Sequence, residues 1–136
     1  MFTGLSHVSI VVPDLEAARA RLKALYGLEV GEPKINEEQG VVLAYVELAN
    51  ARIEIVQPTR ADSPVARFLE RNPQGGIHHF CLGVDSMDAT VGKLAANGAR
   101  VLGEGGVQLN VHGERIAFVH PKDFLGALLE LEEHKS

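Results

Sequence analysis

The sequence predicts an α+β fold of two tandem βαβββ modules whose curled mixed sheets enclose a metal-binding cavity. Three observations lead there: the element order runs through once and then restarts, matching residues at the starts of the two runs are equally spaced, and each run carries a His and a Glu at matching places.

The first run opens on Leu5–Val12, an apolar, β-branched stretch that Pro13-Asp14 ends, which reads as a strand. Asp14 is placed to cap a helix through Leu25, with Leu15, Ala18, Leu22 and Leu25 on one stripe and Gly27 as its stop. Strand-like runs follow near Leu28–Lys34, Val41–Leu48 and Ala51–Gln57. After Pro58 a polar connector holds a short helix, about Pro64–Arg71, with Pro in its first turn. The order then restarts with a strand over Gly76–Val84. Ser86 caps a helix to about Asn97, before Gly98, and strands are expected near Arg100–Leu102, Arg115–His120 and Ala127–Glu132.

A spacing of 72 residues separates His7 from His79 and also Asp14 from Ser86. Glu54 and Glu130 are 76 apart, so four extra residues fall in the loops of the second run. The expectation is a single domain, 1–136, with module one over about 4–58, a connector over about 59–74 and module two over about 75–133.

At 136 residues the chain is long enough for one core without disulfide staples. The net charge is −5 with Lys and Arg scattered, which argues against a nucleic-acid or anionic-membrane partner. A single cysteine, Cys81, cannot form an internal disulfide and fits a reducing compartment. No apolar run approaches the roughly 20 residues of a spanning helix, and no basic region precedes an apolar stretch at the N-terminus. A cytoplasmic protein with no membrane partner is the expectation.

Glu54 and Glu130 each interrupt an apolar strand, in Ile-Glu-Ile and Leu-Glu-Leu contexts, so alternation sends each carboxylate to one face of a sheet. If that face is wet, the acids need no explanation. If it faces inward, each acid costs several kcal/mol unless it is paired or metal-bound. Two His and two Glu at equivalent places favour the second reading. Such a set suits Co²⁺, Mn²⁺, Ni²⁺, Zn²⁺ or Fe²⁺ and suits Ca²⁺ poorly. Four ligands on an octahedral ion leave two positions for a substrate that chelates through two oxygens.

The stretches His7–Ala18, Asp62–Pro73, Gly75-Gly76-Ile77-His78-His79, His120-Pro121-Lys122-Asp123 and Leu129–Glu132 together resemble the vicinal-oxygen-chelate superfamily and, within it, the methylmalonyl-CoA epimerases. The resemblance covers nearly the whole chain. It implies one divalent ion per chain, Co²⁺ first among the candidates, held by His7, Glu54, His79 and Glu130. His78 should point to the opposite face of its strand. Some relatives carry Gln at the position of Glu54.

The activity so implied is interconversion of (2R)- and (2S)-methylmalonyl-CoA, by metal-assisted removal of the C2 proton through an enolate, in a homodimer. Ethylmalonyl-CoA is a second acyl-CoA substrate to consider. Inversion needs an acid and a base on opposite faces of C2. Glu130 is one candidate; Leu43 stands where some members have a second carboxylate, and Glu47, on the same strand face, could replace it. Arg115 is a candidate clamp for the substrate carboxylate, and Lys122 for the CoA phosphates or its own loop. Cys81, His112 and His134 receive no role. The competing readings are a lactoylglutathione lyase, a ring-cleaving dioxygenase, which wants two His and one carboxylate on iron, and a drug-binding protein, which would lack the metal set.

Overall fold

The structure is a computed structural model and describes residues 1–103 and 106–134. The chain forms two compact units, one from Val8 to His78 and the other from Met1–His7 together with the chain from His79 onward. Strand β1 (Phe2–Val11) and strand β5 (Gly76–Val84) each contribute to both.

In the Val8–His78 unit, helix α1 (Leu15–Tyr26) begins where the Asp14 carboxylate accepts from the Ala17 backbone N–H, and ends at Gly27 in the left-handed region. Both stops are those expected from the sequence. Strands β2 (Lys34–Asn36), β3 (Val41–Glu47) and β4 (Arg52–Pro58) form an antiparallel ladder. Alternation splits β3 and β4 into two faces. Ala44, Val46 and Ile55 pack with Leu15 and Val30 under α1, while Val41, Leu43 and Val56 pack with Val65 of helix α2 (Pro64–Arg71). Tyr45 and Glu54 are register partners on the α2 face, and Glu47 and Arg52 follow them toward the strand ends.

Of the expected strand over 28–34 only Lys34 lies in a strand, as the first residue of β2. Leu28 and Val30 pack into the α1 cluster instead of joining a ladder, Gly31 donates to the Tyr45 carbonyl, and Pro33 has no N–H to donate.

In the other unit, strand β8 (Leu128–Glu133) runs parallel to β5 and antiparallel to β7 (Arg115–Val119), which pairs in turn with β6 (Gln108–Leu109). Leu129, Leu131, Ala117, Val119 and Val84 pack with Met87 of helix α3 (Met87–Ala96). The Ser86 hydroxyl caps α3 by accepting from the Ala89 N–H. The opposite face of β8 carries Glu130 and Glu132, both buried. The strand expected over 100–102 is reduced to a single bridge between Val101 and Val119. Among the described residues no helix is long and apolar enough to cross a membrane.

Candidate metal centre

Three of the four expected ligands meet in one unit. His7 comes from β1, His79 from β5 and Glu130 from β8. The Nε2 atoms of His7 and His79 lie 3.2 and 2.9 Å from the same Glu130 oxygen, Oε1. The two imidazole rings stand edge to face at 5.6 Å, and Phe118, the register partner of Glu130, closes on His79 with ring centres 5.9 Å apart. All three polar side chains are at least nine-tenths buried. Burial by itself would raise the Glu130 pKa, but the imidazoles of His7 and His79 beside it outweigh burial and hold the carboxyl at about 2.

Glu54 lies in the other unit. Its Oε1 accepts from the Ser9 hydroxyl at 2.9 Å and its Oε2 from the Tyr45 hydroxyl at 3.2 Å. The Glu54 carboxylate is thereby oriented, with the Arg52 guanidinium 4.3 Å over the Tyr45 ring beside it. His78 takes the alternate face of β5 and meets the Phe68 ring edge-on at 5.3 Å.

The other candidates fall elsewhere. Glu47 is exposed at the end of β3 and pairs with Arg52 at 3.6 Å. Arg115 is not brought to Glu130. Its register neighbour across β8 is on the α3 face, where its guanidinium holds Asp88 at 2.6 Å and Glu133 at 3.6 Å. Period-two alternation puts Arg115 on the α3 face of β7. Lys122 sits in a 3₁₀ turn, Pro121–Asp123, whose fold is fixed by its own N–H donating to His120 Nδ1.

Sequence reasoning passed over one buried acid. Glu132 is 2% exposed, on the same face as Glu130. Its Oε1 accepts from the Ser6 hydroxyl at 3.1 Å and lies 2.8 Å from His134 Nε2, and its Oε2 accepts from the Asn110 amide at 3.2 Å. The Leu-Glu-Leu-Glu alternation was the signal that could have found it. His7, Cys81 and Glu132 also present ligand-type atoms within 4.8 Å of one another, so a sulfur donor lies close behind His7.

The donor chemistry fits a divalent ion. Two imidazole nitrogens converge on one carboxylate oxygen in a buried, polar-lined spot, a set that favours Co²⁺, Mn²⁺, Ni²⁺, Zn²⁺ or Fe²⁺ over the hard, all-oxygen preference of Ca²⁺.

Comparison with known proteins points the same way. Residues 6–118 match the model of the Glyoxalase/Bleomycin resistance protein/Dioxygenase superfamily. An ethylmalonyl-CoA/methylmalonyl-CoA epimerase of Cereibacter sphaeroides is 47% identical over 133 residues, covering 98% of this chain and 99% of the relative. The mitochondrial methylmalonyl-CoA epimerase of Bos taurus is 43% identical over 95% of this chain and 73% of its own length. A solved methylmalonyl-CoA epimerase in complex with methylmalonyl-CoA and NH4+ superposes with a TM-score of 0.88 at 34% identity, over 98% of this chain and 95% of that one. The chain belongs to the methylmalonyl-CoA epimerase family of the glyoxalase/bleomycin-resistance/dioxygenase superfamily.

Proposed function

We propose that the protein is an isomerase that interconverts (2R)- and (2S)-methylmalonyl-CoA, and that His7, His79, Glu130 and Glu54 hold the divalent ion it uses. The observation that carries the reading is the convergence of His7 and His79 on Glu130 in a buried site, in a chain whose relatives at 43–47% identity are named for this epimerisation. Glu54 is the fourth ligand in this reading, since it occupies the matching strand of the first sequence run and its carboxylate is oriented by Ser9 and Tyr45.

The C2 hydrogen of methylmalonyl-CoA lies between a thioester and a carboxylate, so its removal leaves charge on the thioester oxygen. A bound divalent ion supplies Lewis-acid stabilisation of that charge. The buried surroundings, with Phe118 against His79, keep water from competing for it. Glu130 is assigned one of the two proton transfers at C2. Glu47 is assigned the other, as the carboxylate that shares a strand face with Tyr45 and Leu43. Lys122, on its exposed turn, is assigned to the CoA phosphates. Co²⁺ is the preferred ion, and the protein works as a cytoplasmic homodimer; ethylmalonyl-CoA is a second substrate in this reading, supported by the name of the relative 47% identical to this chain.

The test is incubation of (2S)-methylmalonyl-CoA with enzyme and Co²⁺ in deuterated water. Inversion with deuterium appearing at C2 supports the reading. No exchange, together with turnover of a glutathione hemithioacetal, would move the protein to the lactoylglutathione lyase class.

A further inference from the structure

We infer that Ser6 and Glu132 are positioning residues that fix the ring of His7 in the tautomer needed to bind a metal through Nε2. The inference rests on the metal reading above and concerns residues that reading leaves unused.

The argument follows the protons. Asn110 Oδ1 accepts from the backbone N–H groups of His112 and Glu114, so its amide nitrogen must be the atom that faces Glu132. The Asn110 amide, the Ser6 hydroxyl and His134 Nε2 all converge on Glu132, whose carboxylate serves them as acceptor. A serine hydroxyl has one proton, and here it is committed to Glu132 Oε1 at 3.1 Å. The Ser6 oxygen, 3.1 Å from His7 Nδ1, then has only lone pairs to offer. The hydrogen bond between them requires the proton to sit on Nδ1. With Nδ1 protonated, Nε2 is the nitrogen whose lone pair can serve a metal, and Nε2 is the atom that faces Glu130 Oε1.

The chain Glu132–Ser6–His7 is thus a carboxylate acting on a ligand imidazole through one hydroxyl. It does what a carboxylate directly behind a ligand His does: it selects the tautomer, holds the ring angle and raises the basicity of the ligating nitrogen. Burial of Glu132 at 2% exposure keeps this effect from being screened by water.

The experiment uses the full chain, stripped of metal and titrated with Co²⁺, alongside imidazole ¹⁵N spectra of the Zn²⁺-loaded protein. Ser6→Ala should weaken Co²⁺ binding about 10- to 100-fold, the usual range for loss of a group behind a ligand, and should expose the His7 Nδ1–H to rapid exchange with solvent. Ser6→Thr, which keeps the hydroxyl, should restore both the affinity and the protected Nδ1–H. Glu132→Gln should weaken binding with Ser6 intact, which gives a second route if Ser6→Ala folds poorly. Wild-type Co²⁺ affinity in Ser6→Ala, or failure of Ser6→Thr to rescue it, overturns the inference. His7→Ala binding Co²⁺ as tightly as wild type would instead overturn the metal reading beneath it, so the two failures are told apart.

Discussion

His79 Nε2 lies 2.9 Å from Glu130 Oε1, although the register partner of His79 across the parallel β5–β8 pair is Leu128. The contact is diagonal, and it joins a base to a buried acid. Removing one partner of a buried pair leaves the other uncompensated, whereas replacing the acid by an apolar side chain removes the burden altogether. His79→Ala should therefore destabilise the metal-free protein by about 3 kcal/mol, while Glu130→Leu should leave it as stable as wild type or more so. Both should abolish Co²⁺ binding. Urea unfolding of chelator-treated protein, with calorimetric titration, checks the pair of outcomes; equal destabilisation by both variants would mean that the acid is worth more than the pair.

Glu54 tests the fourth ligand. Glu54→Gln retains an oxygen donor and the hydroxyls of Ser9 and Tyr45 to orient it, so Co²⁺ affinity should fall by less than about tenfold. Glu54→Ala removes the donor and should cost more than the roughly 100-fold upper range for groups that only support a ligand. Equal affinity in the two variants would remove Glu54 from the metal set.

The second proton transfer can be isolated by stereochemistry. Glu47→Gln should stop inversion while leaving exchange at the face served by Glu130, so (2S) or (2R) substrate takes up deuterium without changing hand. Mass spectrometry combined with chiral analysis of the recovered acyl-CoA reads this directly. Unaltered inversion in Glu47→Gln would assign the second face to another group. Arg115→Ala should in the same assay leave the substrate KM unchanged within about twofold, because Asp88 and Glu133 occupy its guanidinium on the α3 face.

The Arg100–Asp123 pair predicts an acid-side dependence of stability. The side-chain hydrogen bond from Arg100, reinforced by its backbone N–H, holds the Asp123 carboxyl down to about 2 from the usual 3.8. A depressed acid contributes fully above its unfolded pKa and loses that contribution as pH falls through the folded value. Asp123→Asn should lower Tm at pH 7, and the gap to wild type should close between about pH 4 and pH 2. A gap that persists at pH 2 would point to packing and not to charge.

Much of this was legible in the chain. Asp14, Gly27 and Ser86 mark helix ends through local hydrogen-bond chemistry, which depends on a few neighbouring residues and survives folding. His7, His79 and Glu130 were legible because the repeated order turned three unremarkable residues into matching positions. The misses were of another kind. Residues 28–33 and 100–102 have strand composition, but a ladder requires a partner edge along its length: Leu28 and Val30 pack under α1 without one, and Val101 makes a single bridge to Val119. That Arg115 pairs with Asp88 and Glu133 depends on the register with β8 and the approach of α3, which no local pattern carries. Ser6, Asn110 and the Glu132–His134 stretch meet from three separate segments, and no local pattern announces a convergence of that kind.

The same separation has a kinetic side. His7, His79 and Glu130 are divided by 72 and 51 residues of chain, so a long loop must close before any two of these side chains meet, and two must close before all three do. An ion that needs all three has nothing to grip in the unfolded chain, unlike one bound by closely spaced ligands. In the metal reading, the ion acts as a latch on a sheet already assembled: it slows unfolding and leaves the rate of folding unchanged.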